Sequence, residues 1–215
     1  MKKKIMLFAV ILMPVLVFSQ TARKGWYGSL GLGYGSYKLD LYNYNSGSDS
    51  YADQSFSQPL IRLGVEKKSI INKGGFVLDA DAELTGGFGL KTRSTLSGPT
   101  TKNENKGWSL GINGLVKAGY VLGKESTSIT PLIGLGPHFI SLQTGSGDEG
   151  FSNKIYGLQG FIGIDFNLSK ITMTPNMHVG IANWGSSDRW IGSADNAQNG
   201  QPSMFEAGIN VAVRL

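Results

Sequence analysis

The stretch that decides the fold is the last one: Phe205-Glu206-Ala207-Gly208-Ile209-Asn210-Val211-Ala212-Val213-Arg214-Leu215. Phe205, Ala207, Ile209, Val211, Val213 and Leu215 are apolar. Glu206, Gly208, Asn210 and Arg214 interleave with them, and only Ala212 departs from the pattern. A helix would scatter these apolar positions around its circumference, whereas a strand lays them on one face. Residues 76–90 repeat the pattern. Phe76, Leu78, Ala80, Ala82, Leu84, Phe88 and Leu90 share one face; Val77, Asp79, Asp81, Glu83, Thr85, Gly87 and Gly89 share the other. Propensity over 77–84 is compatible with a helix, but the flanking glycine pairs and the strict alternation favour a strand.

Alternation predicts eight strands: 25–39, 58–67, 75–91, 107–122, 129–142, 154–168, 171–183 and 204–215. The connections 40–57, 92–106, 143–153 and 184–203 are long and rich in Ser, Asn, Asp, Gly and Thr. The connections 68–74, 123–128 and 169–170 are short. Long loops on one side and short turns on the other are the pattern of a transmembrane barrel, and an even strand number puts both chain ends on the short-turn side. The fold class is therefore all-β: an eight-stranded antiparallel up-and-down transmembrane β-barrel.

Composition agrees. The chain has 215 residues, 31 of them Gly, no Cys, and only 16% charged residues, against about 25% in an average soluble domain. The absence of Cys excludes a disulfide framework, a Cys-ligated metal, a Cys nucleophile and a Cys-borne lipid anchor. Residues 1–19 read as a secretory signal: Lys2, Lys3 and Lys4, then the apolar run 5–18, with cleavage after Ser19 or Gln20. The alternative is an uncleaved N-terminal anchor. Residues 20–215 then form a single barrel domain. Without the three lysines the formal charge falls from +5 to +2, which removes the main argument for a nucleic-acid partner.

Alternation alone does not say which face is outside, and a lipocalin-like barrel also has eight strands, with its apolar residues inside. Three features favour lipid outside. Aromatics cluster near both ends of the apolar face: Tyr34, Phe88, Trp108, Phe139, Tyr156 and Phe205 at one, Trp26, Phe76, Tyr120 and Phe166 at the other. Phe76 to Phe88 and Trp108 to Tyr120 each correspond to roughly 30 Å along the membrane normal, and Tyr156 to Phe166 to roughly 25 Å. The opposite face is crowded with glycine, which suits a narrow lumen. Charges lie mainly in loops or on the lumen face.

These features resemble the small eight-stranded outer-membrane barrels of Gram-negative bacteria, the OmpA-barrel, OmpX and OmpW-like group. The resemblance spans the whole mature chain. It includes a terminal strand similar to the family's assembly signal, here Glu206, Gly208, Val211 and Val213, although Arg214 and Leu215 follow where the family commonly ends in Phe. It implies export to the outer membrane, both termini in the periplasm, outer-membrane lipid and lipopolysaccharide as surroundings, insertion by the barrel-assembly machinery, and a monomer. No cofactor, metal or catalytic residue is implied.

The lumen set is Arg62, Glu66, Asp79, Asp81, Glu83, Lys117, Asp165, Glu206 and Arg214. If the second hairpin is centred between Ile70 and Ile71, Arg62 faces Asp79. Unpaired buried charge is costly, so an ionic and hydrogen-bonded plug is expected. The sharper reading is a gated proton or cation path along Asp79, Asp81 and Glu83. His138 and His178 are assigned to the lumen face. Pro131, Pro137 and Pro175 fall inside strands, where proline cannot donate to a ladder, so a bulge is expected, most of all at Pro137. The loop residues Tyr42, Tyr44, Tyr51, Trp184, Asp188, Arg189 and Trp190 suit a surface partner. Three functions follow: a non-enzymatic structural or surface-contact barrel, a small porin-like channel for ions or hydrophobic solutes, and, more remotely, a lipid A-modifying enzyme.

Overall fold

The computed structural model describes residues 23–45, 48–89, 91–96, 101–103, 107–124, 127–144, 151–189 and 202–215. The expected signal, its cleavage positions and Trp190 lie outside them. So do the side chains of Tyr42, Tyr44, Tyr51, Asp188 and Arg189.

The strands are β1 (Gly25–Asn45), β2 (Ser48–Lys73), β3 (Phe76–Phe88), β4 (Lys91–Leu96), β5 (Thr101–Asn103), β6 (Gly107–Tyr120), β7 (Leu122–Lys124), β8 (Thr127–Thr144), β9 (Phe151–Leu168), β10 (Ile171–Arg189) and β11 (Ser203–Arg214). Eight of them form the wall, in the order β1, β2, β3, β6, β8, β9, β10, β11, every neighbour antiparallel. The terminal strand closes on the first, with Leu30 opposite Val211, Leu32 opposite Ile209 and Tyr34 opposite Ala207. Leu215 N–H donates to the Trp26 carbonyl at 3.0 Å, sealing the rim where the first and last strands meet. β4 continues the course of β3 along residues 52–57 of β2, β5 folds back on β4, and β7 continues β6. Closure leaves no free sheet edge, so each wall strand pairs on both sides. Among the described residues no helix is long and apolar enough to cross a membrane.

The wall differs from the sequence reading in three places. Residues 40–57, expected as a loop, are mostly strand: the β1–β2 ladder runs on to Asn45 opposite Ser48, with Tyr42 opposite Tyr51. Aromatic residues favour the extended backbone, and Tyr42, Tyr44, Tyr51 and Phe56 recur through this polar-looking segment, which continues the ladder. Second, the β2–β3 hairpin turns at Gly74-Gly75, both at positive φ (62° and 87°), which glycine adopts without a Cβ penalty. The register shifts between Lys67 and Ile71, so Lys68, Ser69 and Ile70 are looped out. Arg62 therefore faces Thr85, not Asp79.

Third, Pro137 carries no bulge. The β8–β9 register is unbroken from Thr127 to Thr144. Pro131 and Pro137 sit where the β6 ladder is not made, and Pro175 where the β9 ladder is not made. Each proline leaves out bonds on one side and keeps the register, so His138 stays inward. The bulge lies instead between Gly180 and Ala182. It turns Trp184, expected in a loop, to the outer face, where it stacks on Tyr156 with ring centroids 6.4 Å apart.

Packing gives the wall two regimes. Between the girdles the outward side chains are apolar and exposed, among them Leu32, Leu63, Leu84, Ile112, Ile133, Ile162 and Ile209. Beyond the girdle far from the chain ends the sidedness inverts without a change of register. On β8, Ile133, Leu135 and Phe139 point out, and then Ile140 and Leu142 point in. On β1, Leu30, Leu32 and Tyr34 point out, and then Tyr37 and Leu39 point in. An exposed apolar band of this size is untenable in water and natural in a bilayer. The inverted segment is patterned for water.

Candidate functional site: the lumen

Three layers fill the barrel. The layer nearest the chain ends is ionic. Arg23, just before β1, bridges Asp79 at 2.8 Å and also pairs with Asp165. Lys68, turned inward by the β2 bulge, meets Asp165 at 2.6 Å and Glu66 at 3.3 Å. Lys117 joins Glu66 at 2.5 Å and Asp81 at 2.7 Å. Thr174 donates to Asp165 at 2.7 Å, and the backbone N–H of Ser69 donates to Asp79 at 2.7 Å. Ser69 itself has φ 53°, a conformation uncommon for a residue with a side chain. The bond to Asp79 offsets part of that strain.

The middle layer centres on Arg62, 1% exposed. Its guanidinium donates to Glu206 at 2.9 Å and to Asn176 at 2.7 Å. Tyr37 donates to the other Glu206 oxygen at 2.7 Å. Asn210 donates to Glu83 at 2.5 Å, and Gln58 donates to Ser109. Gly208 is the space that admits Arg62: a Cβ there would come within 2.6 Å of the Leu32 carbonyl oxygen and 3.1 Å of the Arg62 guanidinium. The two lumen-side members of the assembly-signal pattern, Glu206 and Gly208, thus have structural work in the finished barrel. Val211 and Val213 face outward.

The layer furthest from the chain ends is an apolar stopper of Tyr37, Leu39, Phe56, Ile140, Leu142, Ile155 and Met204, all buried. Lower down, Leu115, Leu132 and Phe161 form a smaller apolar contact, with His178 edge-on to Phe161 at 5.2 Å. Among the described residues, ionic, polar and apolar layers thus follow one another along the lumen.

Eight of the nine expected lumen ionisable residues lie inside; Arg214 does not. It is the last residue of β11 and is exposed at the rim, because the lumen ends there. Two inward cations were not legible in the sequence. Arg23 precedes the first strand, and Lys68 lies in what reads as a turn. They bring the inward balance to four cations against six carboxylates among the described residues. Asp79, Asp81 and Glu83 contact different partners: Arg23, which Asp165 shares, Lys117, which Glu66 shares, and the Asn210 amide.

His138 and His178 are both buried inside, and His178 Nδ1 lies 3.1 Å from Gln159 Oε1. Ser141 is on the opposite side of β8 from His138 and accepts from Gln143 at 3.3 Å. The structure does not assemble a Ser–His pair there. Among the described residues no group of three or more His, Cys, Asp or Glu could hold a metal ion.

The ten expected girdle aromatics face outward, with Tyr120 half-buried because Gly75 lies against its ring. Six of them sit in cross-strand pairs: Phe88 opposite Trp108, Phe76 opposite Tyr120, Phe139 opposite Tyr156. Trp26 lies beneath Lys67, whose ammonium is 4.9 Å from the ring centre. Two aromatic rings bounding an apolar band, on a closed wall of eight antiparallel strands, decide the architecture. The chain has the fold of the small outer-membrane barrels.

No protein-family model matches the sequence, and no curated protein matches it. Solved structures do. The chain is similar to the outer membrane protein OprG from Pseudomonas aeruginosa, with a TM-score of 0.57 and 15% identity, covering 92% of this chain and 100% of that one. It is also similar to Neisserial surface protein A, with a TM-score of 0.47 and 13% identity, covering 89% and 98%. At these identities the likeness concerns the fold.

Proposed function

We propose that this protein is a non-enzymatic barrel of the outer membrane of a Gram-negative bacterium. Its chain ends face the periplasm. It acts through its wall and its loop-bearing end, not through its lumen. The observation that carries the reading is the filled interior: a paired ionic layer, the Arg62–Glu206 layer and an apolar stopper in series. An ion crossing this lumen would have to break buried pairs and then shed its water at the stopper, and each step is costly. The fold likeness to known outer-membrane barrels supports the location.

The test is conductance of the refolded protein in planar bilayers. The expected result is silence across salts and pH, in the wild type and in Asp81→Ala alike, because the stopper does not depend on Asp81. Steady conductance steps from the wild type would replace this reading with a channel. A parallel comparison of lipid A mass profiles, with and without the protein, is expected to show no difference; a new lipid A species would make the protein an enzyme.

A further inference from the structure

The outer wall carries a concavity of about 800 Å³ across β11, β1, β2, β3 and β6, within the range of about 300–1,000 Å³ typical of small-molecule sites. Cross-strand register explains it. Val211, Leu30, Leu63, Leu84 and Ile112 are successive partners and form one row of large side chains. The next row towards the chain ends runs Val213, Gly28, Val65, Ala82 and Gly114. Three of its five positions are small, so the row is a trough beneath a ridge. A Cβ at Gly28 would touch only the tip of Leu215, at 3.6 Å, so the empty space there is not demanded by neighbouring packing.

Two residues further along β1 and β2, about 7 Å at the rise of a strand, lie Trp26 and Lys67 in register, the ammonium over the indole. Lys24 is exposed just before β1. The same end carries exposed Lys73 and Lys170. Every acid whose side chain is described faces the lumen: Glu66, Asp79, Asp81, Glu83, Asp165 and Glu206. Among the described residues the outer rim is thus cationic directly beneath an apolar trough, which is the charge and polarity profile of a lipid turned head-down.

We propose that this trough and rim form a seat for one anionic glycerophospholipid. An acyl chain lies along Gly28, Val65 and Ala82, and the phosphate rests on Lys67 and Lys24. Lipid tails are as apolar as the wall, so the trough supplies close packing and the lysines supply selectivity. The seat holds whether or not the lumen conducts.

Native mass spectrometry of the refolded protein in micelles doped with equal phosphatidylglycerol and phosphatidylcholine tests it. One phosphatidylglycerol retained per barrel, at about thirtyfold preference, is the expected result for two lysines near a headgroup. Lys24→Gln/Lys67→Gln should bring the two lipids to parity. Gly28→Leu/Ala82→Leu, or Ala82→Leu alone should the pair fail to fold, should lose the bound lipid. Equal retention by the wild type, preference for added lipid A, a dimer that the filled trough abolishes, or unchanged retention by the filled trough would each overturn the proposal.

Discussion

Arg62→Ala is expected to lower the stability of the folded barrel by about 3–5 kcal/mol, because it leaves Glu206 buried without its cation. The effect arises from position. Arg62 and Glu206 are 1% and 0% exposed at the side chain and meet at 2.9 Å in the middle of the lumen. Removal of the guanidinium also takes a donor from Asn176. Urea titration in lipid vesicles, followed by tryptophan fluorescence, reads the change. Arg62→Met/Glu206→Gln should recover most of the loss, since the charge and its partner leave together and Tyr37 keeps an acceptor. A single mutant as stable as the wild type would show that the pair is solvated, and the filled-lumen account would then fail.

Arginine placed on the outer band is expected to cost according to depth. Leu84→Arg, in the middle of the band, should cost about 2–4 kcal/mol, and Ile71→Arg, beside the Gly74-Gly75 turn, about 0–1 kcal/mol. Both parent residues are exposed to similar degrees, so a water-facing wall would show no such gradient. The same vesicle titration measures it. Equal effects at the two positions would contradict the membrane assignment of this face.

The fold was legible because its main signal is periodic. Strict alternation in 76–90 and 205–215, with aromatics at the ends of the apolar face, needs no tertiary information. The Arg62 register was missed chiefly because the hairpin turns at Gly74-Gly75 and not at Ile70-Ile71, which alone would set Arg62 opposite Gly87; the bulge then brings it back to Thr85. The inward turn of Lys68 was not legible because it depends on that bulge, and no residue type in Lys68-Ser69-Ile70 announces it. Arg23 was missed because it precedes the ladder and its role exists only once the barrel closes beneath it. The stopper was missed for a different reason. Tyr37, Leu39 and Phe56 sit at or beside what the polar composition marks as a loop. Ile140 and Leu142 have the parity of the lumen face but the chemistry of the lipid face. A rule that assigns apolar residues to one side along a whole strand cannot represent a wall that leaves the bilayer and reverses.

The closed lumen depends on that reversal. Spin-label accessibility along β8 reads it, using single cysteines introduced into a chain that has none. Labels at Ile133, Leu135 and Phe139 should be reached by oxygen from the lipid. Labels at Ser141 and Gln143 should be reached by a water-soluble relaxant, and those at His138, Ile140 and Leu142 by neither. Oxygen accessibility that continues with the same parity through 141 and 143, or water-soluble relaxant at Ile140 and Leu142, would contradict the account.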